Sequence, residues 1–262
     1  MPSAPALRGP FRTDLRARAA YSEGAGVYRI VPAAVALPAD EADLVELLEW
    51  AVGSRQSAGS RQPLVLRGAG SAMGGGNVGE GVLVDLTAMA ERQLTIDAAA
   101  RTAVTSAGVT LGEIEQAAAP SGLRLPPDPS SARWATVGGV FSTNASGPRT
   151  LRYGSVRRWV EGATIITAGG ERLALRRGEP AGDSATTRRF EAEVAPRIRA
   201  EAAMIRARFP RTRKNSSKLD EKMPMNFRRS TRGTVGSAAS WRTRSLNESQ
   251  LTSRLMTSGR DT

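Results

Sequence analysis

The chain of 262 residues contains no cysteine and no histidine. The lack of cysteine excludes disulfide bonds, thiol nucleophiles and thiolate metal sites. The lack of histidine removes the commonest protein ligand for metals, the commonest general base at neutral pH and any cofactor attached through histidine. We therefore expect no metal site, and the catalytic residues stay unassigned.

Long apolar runs are also missing. No run approaches the roughly 18 residues that a membrane-spanning helix needs, and the N-terminus lacks the charged-then-apolar pattern of a secretion signal. We expect a cytoplasmic protein without a transmembrane segment. Hydrophobic residues make up 40% of the chain, enough for the core of one large domain or two smaller ones.

The positive charge is concentrated at one end. Of the net charge of +12, residues 211–262 carry +8, from nine arginines and three lysines against four acidic residues. The remaining +4 is ordinary for a globular enzyme. Binding of nucleic acid by the basic tail is an alternative, but Phe227 and Trp241, its aromatic residues, are too far apart to suggest a stacking platform. We expect no nucleic-acid partner.

The most informative stretch is RGAGSAMGGGN, residues 67–77. An apolar run precedes it, and a turn rich in glycine can bring bare backbone N–H groups up to phosphate oxygens. A Rossmann fingerprint needs G-x-G-x-x-G opening a helix. Gly68, Gly70 and Gly74 instead give G-x-G-x-x-x-G, followed by a second apolar strand, so the Rossmann interpretation fails.

The surrounding pattern predicts a small βαβ unit with a parallel sheet. Tyr28–Pro32 is typical of a short extended segment, and Asp40 can cap a helix whose end is predicted at Gly53. Local patterns predict the later elements: paired strands at 94–97 and 101–106, a capping box at Thr110 and Glu113, a helix end at Gly122, a hairpin over 162–175 and a helix over 187–209.

Three further loops have compositions suited to binding. Residues 125–131, LPPDPSS, form a bend that proline makes rigid. Residues 135–140 and 142–148 are rich in small residues, which let a flat ligand lie against the backbone. Thr136, Thr143 and Asn144 offer hydrogen bonds there.

Together with RGAGSAMGGG, the segments LPPDPSS, ATVGGVFSTNASGPRTLRYGSV and RFPRTRKNSS resemble the FAD-binding (PCMH-type) domain of the vanillyl-alcohol oxidase superfamily. Within it, they are most similar to the glycolate oxidase and D-lactate dehydrogenase flavoproteins. The resemblance implies an α+β fold with a lead-in over residues 1–27 and an FAD-binding domain over 28–217. That domain would have two subdomains, about 28–90 and 91–217, with FAD held non-covalently between them.

The resemblance also implies which residues bind the cofactor. The residues matched to the pyrophosphate are Gly68, Gly70, Ser71 and Gly74. Those matched to the flavin and ribityl region are Pro127, Asp128 and Ser130. Those matched to the stretch beneath the isoalloxazine are Thr136, Gly138, Gly139, Thr143, Asn144 and Gly147, with Tyr153 and Gly154 after it. Ile166, or its neighbour Ile165, would lie near the adenine, with packing alone as the alternative for Ile166.

By resemblance, the reaction is oxidation of a small 2-hydroxy acid such as D-lactate or glycolate, with hydride transfer to flavin N5. A quinone, a cytochrome or an electron-transfer flavoprotein would then accept the electrons. Arg149, Arg152 and Arg157 could hold the substrate carboxylate, although solvated surface arginines are the simpler interpretation.

The family pattern stops after KNSS. Lys218–Pro224 stands where the family continues, and only Gly233–Gly236 echoes the expected G-T-L-G turn. We expect a disordered or non-native basic tail over 218–262, as in a truncated or frameshifted member without a substrate domain. An open sheet edge, poor solubility and lost turnover would follow.

Two alternatives within the flavoprotein interpretation remain. The first is another flavin-linked enzyme, such as a sugar or aldonolactone oxidase or a cell-wall precursor reductase. The second is an FAD-binding subunit that needs a separate substrate-binding chain. The substrate domain separates these alternatives.

Overall fold

The computed structural model describes residues 4–58, 62–210, 240–244 and 246–247. These residues form a four-stranded and a five-stranded sheet, with a short two-stranded ladder beside them. Helices connect the strands, which confirms the predicted α+β class. No helix in this part of the chain is long and apolar enough to cross a lipid bilayer.

The first sheet has the order β1-β2-β4-β3. Its strands are β1 (Phe11–Arg12), β2 (Ala34–Ala36), β3 (Leu64–Arg67) and β4 (Val82–Asp85). Both β2 and β3 run parallel to β4, which confirms the predicted parallel pairing, and β1 is antiparallel to β2. The prediction of Tyr28–Pro32 as the first strand was wrong, because β2 begins at Ala34. The predicted lead-in therefore contributes a strand, while the predicted domain boundaries stay predictions.

Two helices belong to this half, α1 (Leu15–Ala20) and α2 (Glu41–Ala58). The Asp40 carboxylate accepts a hydrogen bond from the Asp43 amide (3.1 Å), which confirms the predicted cap. The predicted end at Gly53 was wrong, because α2 continues to Ala58. A glycine costs a helix only about 1 kcal/mol.

The second sheet is antiparallel and has the order β5-β6-β10-β8-β9. Its strands are β5 (Leu94–Asp97), β6 (Thr102–Ser106), β8 (Val160–Ile166), β9 (Arg172–Arg176) and β10 (Ser240–Arg244). The remaining pair is β7 (Leu123–Arg124) with β11 (Leu246–Asn247). Both predicted strand pairs, β5 with β6 and β8 with β9, are confirmed.

Short helices follow and separate these strands. They are α3 (Leu111–Ala118), α4 (Val137–Thr143), α5 (Thr150–Tyr153), α6 (Ala185–Arg189), α7 (Ala195–Ala200) and α8 (Ala202–Arg208), with a π-helical turn at Phe190–Val194 and 3-10 turns at Leu86–Ala88, Ala119–Ser121 and Val156–Trp159. The predicted capping box of α3 is present, since Thr110 and Glu113 bond each other's backbone amides. Gly122 ends this region with a left-handed φ of 62°, as predicted.

The strand β10 corrects the prediction for the tail. We predict a disordered or non-native tail over 218–262 and an open sheet edge, but β10 pairs with β6 on one side and with β8 on the other. Its two partners are more than 70 residues away, so local periodicity does not reveal the pairing. Lys218–Pro224 and Gly233–Gly236 lie outside the described residues.

Each sheet has its own hydrophobic core. The first contains the buried faces of α2, β2 and β4. The second contains buried residues of α3, α4 and β8. Ile166, at the end of β8, belongs to the first core, so the two halves share one strand end.

Candidate cofactor-binding site

A cleft of about 910 Å³ is lined mainly by two segments that are far apart in the chain. One wall is the glycine loop, residues 68–77, which connects β3 to β4 in the first sheet. The other wall, residues 135–145, contains α4 and is called here the α4 wall. The size lies within the range of small-molecule and cofactor sites, about 300–1,000 Å³.

The α4 wall is attached by backbone hydrogen bonds to the turn that follows β6 of the second sheet. Val137 donates to the Val109 carbonyl (2.8 Å) and Gly138 to the Ala107 carbonyl (2.9 Å). The Gly139 amide donates to the Thr136 hydroxyl (3.3 Å), which caps the helix. The first amides of α4 are thus already used, and this wall offers the cleft a surface of small residues.

The glycine loop differs from the α4 wall in how its backbone amides are used. Among the described residues, the amides from Ala69 to Gly74 donate no hydrogen bond to a protein acceptor. Side chains at Gly74 and Gly76 would meet open space. The loop therefore presents backbone donors that are available to an anionic ligand.

The two walls come into contact at Gly68 and Thr136. A Cβ atom at Gly68 would collide with the Thr136 hydroxyl. On the α4 wall, a Cβ atom at Gly138 would lie 2.9 Å from that of Ala107. Glycine at these two positions allows the loop, the helix cap and the sheet to approach closely.

The structure brings half of the predicted site residues to the cleft. Those that line it are Gly68, Gly70, Ser71, Gly74, Thr136, Gly138, Gly139 and Thr143. Those that do not line it are Pro127, Asp128, Ser130, Asn144, Gly147, Tyr153, Gly154 and Ile166. Their roles in cofactor binding stay predictions.

Several residues of the second group have structural contacts. Asp128 forms an ion pair with Arg149 (3.1 Å), and a side chain at Gly147 would collide with the Asp128 carbonyl. The Asn144 side-chain oxygen accepts a hydrogen bond from the Arg157 amide (3.2 Å). These contacts connect the bend at residues 125–131 to the segments that precede and follow α5.

The other members of that group differ in their surroundings. Pro127 is buried and Ser130 is exposed. Tyr153 packs edge-on against Trp159, with ring centroids 6.4 Å apart. Gly154 has a left-handed φ of 73°, and Ile166 is fully buried, which agrees with the packing alternative.

The three arginines considered for a substrate carboxylate have other neighbours. Arg149 pairs with Asp128, and the Arg152 guanidinium lies 5.4 Å from the Tyr153 ring centre. Arg157 is buried. None of the three lines the cleft.

Sequence reasoning missed several residues that line the cleft. They include Arg67 and Asn77, which flank the glycine loop, together with Ala107 and Ser131. Arg67 and Asn77 were visible as the first and last residues of the quoted motif. Ala107 gave no local signal, because only the folded chain brings it beside Gly138.

Beneath the glycine loop, the Tyr21 hydroxyl donates to the Asp85 carboxylate at the end of β4 (2.6 Å). Burial and this hydrogen bond raise the pKa of Tyr21 to about 12. The described residues hold no group of three or more acidic side chains that could bind a metal ion.

Comparison with known families identifies the fold. Residues 32–176 match the FAD binding domain family. This match spans more than half of the chain, and the chain belongs to that family. The predicted PCMH-type FAD-binding fold is confirmed, and its cofactor is FAD.

Curated relatives are similar in sequence to this chain over part of their length. The chain is 42% identical over 110 residues to D-lactate dehydrogenase of Archaeoglobus fulgidus, covering 41% of this chain and 24% of that protein. It is 34% identical over 145 residues to glycolate oxidase subunit GlcD of Bacillus subtilis (55% and 30%). It is 29% identical over 209 residues to D-2-hydroxyglutarate dehydrogenase of Escherichia coli (78% and 20%). The chain thus spans less than a third of these relatives.

Solved structures share the fold. The 6-hydroxy-D-nicotine oxidase of Arthrobacter nicotinovorans superposes with a TM-score of 0.57 at 21% identity, over 68% of this chain and 38% of the other. An alkyldihydroxyacetonephosphate synthase gives 0.57 at 17% identity, over 90% and 38%. Identities this low show the fold alone.

Proposed function

We propose that the cleft binds FAD non-covalently and that this chain is the flavin-binding part of a dehydrogenase for small 2-hydroxy acids. The observation that carries the proposal is the row of loop amides from Ala69 to Gly74, which have no protein acceptor in the described structure. The relatives named D-lactate dehydrogenase, D-2-hydroxyglutarate dehydrogenase and glycolate oxidase subunit support the substrate class.

The chemistry of the cleft suits an anionic cofactor. The described residues that line it include no aspartate or glutamate, so no carboxylate would repel a diphosphate. The loop amides and the Ser71 hydroxyl would hold its oxygens as neutral donors, which suit a charge spread over several atoms.

The α4 wall would hold the flat part of the cofactor. Gly138, Gly139 and Ala145 line the cleft with almost no side chain, and small residues let a planar ring approach the backbone. The Thr143 hydroxyl is already engaged, because it donates to the Gly139 carbonyl (2.9 Å).

Bound FAD supplies the hydride-accepting chemistry of the reaction. This chain's residues bind the cofactor, orient it and shield one of its sides. The described residues lining the cleft include no carboxylate, lysine or tyrosine that could take the substrate's hydroxyl proton. The electrons would then pass to a quinone, a cytochrome or an electron-transfer flavoprotein. We also propose that the protein is cytoplasmic.

The proposal is tested by the absorption spectrum of the purified protein and by the flavin released on denaturation. We expect oxidised-flavin bands and release of FAD. D-Lactate, D-2-hydroxyglutarate and glycolate are then added in turn to test which of them bleaches the flavin. A colourless protein that takes up no added FAD would refute the cofactor assignment. Bound FAD that none of the three acids bleaches would refute the activity.

The lack of a proton acceptor in the described lining also favours the alternative of an FAD-binding subunit. In that case a separate chain would supply the substrate-binding groups. FAD that is bleached by a 2-hydroxy acid only after such a chain is added would support this alternative, whereas bleaching of the isolated protein would exclude it.

A further inference from the structure

We propose that Arg67 and Asn77 are positioning residues that fix the Gly70–Ser71 peptide, and thereby aim the Ser71 amide at the cofactor diphosphate. This inference rests on the proposed function, since it assumes that the glycine loop takes the diphosphate. It assigns to Arg67, the charged residue that directly precedes the loop, a role other than direct phosphate binding.

The carbonyl of Gly70 is held by two donors. The Ala25 amide donates to it (3.0 Å), and so does the side-chain amide of Asn77 (2.6 Å). Asn77 is only 6% exposed, so its geometry is set by packing. In a trans peptide the C=O and the following N–H point in opposite directions. The Ser71 N–H therefore points away from Ala25 and Asn77, and Ser71 lines the cleft.

Arg67 holds the same peptide from another side. A Cβ atom at Gly70 would lie 2.5 Å from the Arg67 Nη2 atom, so the guanidinium lies against the glycine backbone, whose φ is 72°. Its other neighbour is the Tyr21 ring, 5.4 Å from the guanidinium carbon to the ring centre. The cation is packed between a ring and a loop.

The donors of Arg67 are directed at backbone carbonyls. Nη1 donates to the Glu23 carbonyl at 2.7 Å, with longer contacts to those of Asn77 (3.4 Å) and Tyr21 (3.5 Å). Tyr21 is in turn bonded to Asp85 at the end of β4. The glycine loop is therefore tied to the first sheet through segment 21–25, and the planar fork of arginine is what reaches these carbonyls.

The experiment compares FAD affinity of the full-length Arg67→Lys and Asn77→Asp variants after removal of flavin. Lysine keeps the charge but loses the fork, whereas aspartate keeps the shape but faces the Gly70 carbonyl with an acceptor. Arg92→Lys is the matched control, because Arg92 also donates to a carbonyl, that of Gly108 (3.1 Å), yet does not line the cleft.

Affinity is measured by titration with FAD at a temperature where circular dichroism shows each apo-protein fully folded. A loss of stability alone leaves the affinity of a fully folded protein unchanged. We expect Arg67→Lys and Asn77→Asp each to weaken FAD binding by roughly tenfold or more. Asn77→Asp disturbs a buried hydrogen bond, and Arg67→Lys removes the fork that reaches the loop and the backbone carbonyls of Tyr21 and Glu23. Arg92→Lys should bind like the wild type.

Wild-type affinity in Arg67→Lys would overturn the inference, because charge alone would then suffice. If Asn77→Asp does not fold, Arg67→Lys alone decides the matter. Equal weakening by Arg92→Lys would also overturn it. Failure of the proposed function looks different, because the wild type itself would then take up no FAD, and the inference would fall with it.

Discussion

Gly68 in the glycine loop lies against Thr136, the residue that caps α4, with no room for a side chain between them. Gly68 directly follows β3 and Thr136 directly precedes α4, so their contact joins the two walls of the cleft. The distance between the two walls at this point therefore depends on the missing side chain of Gly68 and on the Thr136 hydroxyl, which caps α4.

We expect Gly68→Ala to lower the free energy of unfolding by about 1–3 kcal/mol, the usual cost of forcing an extra methyl into a packed site. Gly74→Ala is the control, because its Cβ would meet open space, and it should change stability by less than about 0.5 kcal/mol. Urea unfolding of the apo-proteins measures both. Equal stability of the two variants would contradict the contact between the walls.

The structure also shows which parts of the fold follow from local sequence. The Thr110–Glu113 capping box could be predicted because its two hydrogen bonds join residues three positions apart, and the structure confirms it. The hairpin of β8 and β9 follows from the glycine turn between them, where Gly170 has a φ of 78°. Such features depend on neighbours in the chain.

The features that sequence could not predict depend on distant partners. The pairing of β10 with β6 and β8 joins segments far apart, and five residues without a strong period do not reveal it. Within the site, Gly138 could be matched by motif, but its contact with Ala107 needed the fold. The motif likewise matched Asn144, whose oxygen bonds the Arg157 amide instead of lining the cleft.

The hydrogen bonds of the Asp43 carboxylate lead us to expect a loss of stability in acid. Its buried carboxylate accepts hydrogen bonds from the amides of Arg8 (3.0 Å), Gly9 (2.9 Å) and Ala39 (2.8 Å). Burial acts to raise the pKa of Asp43, but the three hydrogen bonds and the Arg8 charge outweigh it and lower that pKa. A lowered pKa in the folded state stabilises the protein above the unfolded value, about 4, and this contribution is lost as the pH falls.

We expect Asp43→Asn to lower the free energy of unfolding at pH 7 by about 1–3 kcal/mol, because its NH₂ group would face a backbone donor. Below pH 4 the difference from wild type should shrink. Asp14→Asn is the control, since Asp14 caps α1 through the Ala17 amide and asparagine caps almost equally well. A difference that stays constant from pH 7 to pH 3 would exclude the carboxylate as its cause.

The hydrogen bond of the Tyr21 hydroxyl to Asp85 leads us to expect a loss of stability in alkali. Its pKa is raised to about 12 by burial and by the hydrogen bond to Asp85. The unfolded value is about 10, so the neutral hydroxyl stabilises the fold below pH 10 and this contribution disappears as the pH rises to about 12. Because the side chain is partly exposed, solvent screening limits the effect to about 1 kcal/mol.

Tyr21→Phe should therefore be less stable than wild type by about 1 kcal/mol at pH 7, and the gap should close between pH 10 and 12. Tyr28→Phe, at a half-exposed ring, is the control and should follow the wild type throughout. Thermal melting across this pH range tests the prediction. A gap that persists at pH 12 would show that the Tyr21–Asp85 hydrogen bond is not its source.

The strand β10 gives a test of the second sheet. Arg242 pairs with Val104 in β6 and with Gly162 in β8, so it occupies the interior of the sheet. Proline there has no N–H to donate and does not fit a central strand. Arg242→Pro should lower the free energy of unfolding by about 1–3 kcal/mol relative to Arg242→Thr, because a ladder hydrogen bond is lost and its acceptor is left without a partner. Arg242→Thr also removes the arginine side chain but keeps the backbone donor. Urea unfolding monitored by circular dichroism distinguishes the two variants. Matching unfolding curves would mean that residues 240–244 do not pair with β6 and β8 in solution, and the second sheet would then lack its middle strand.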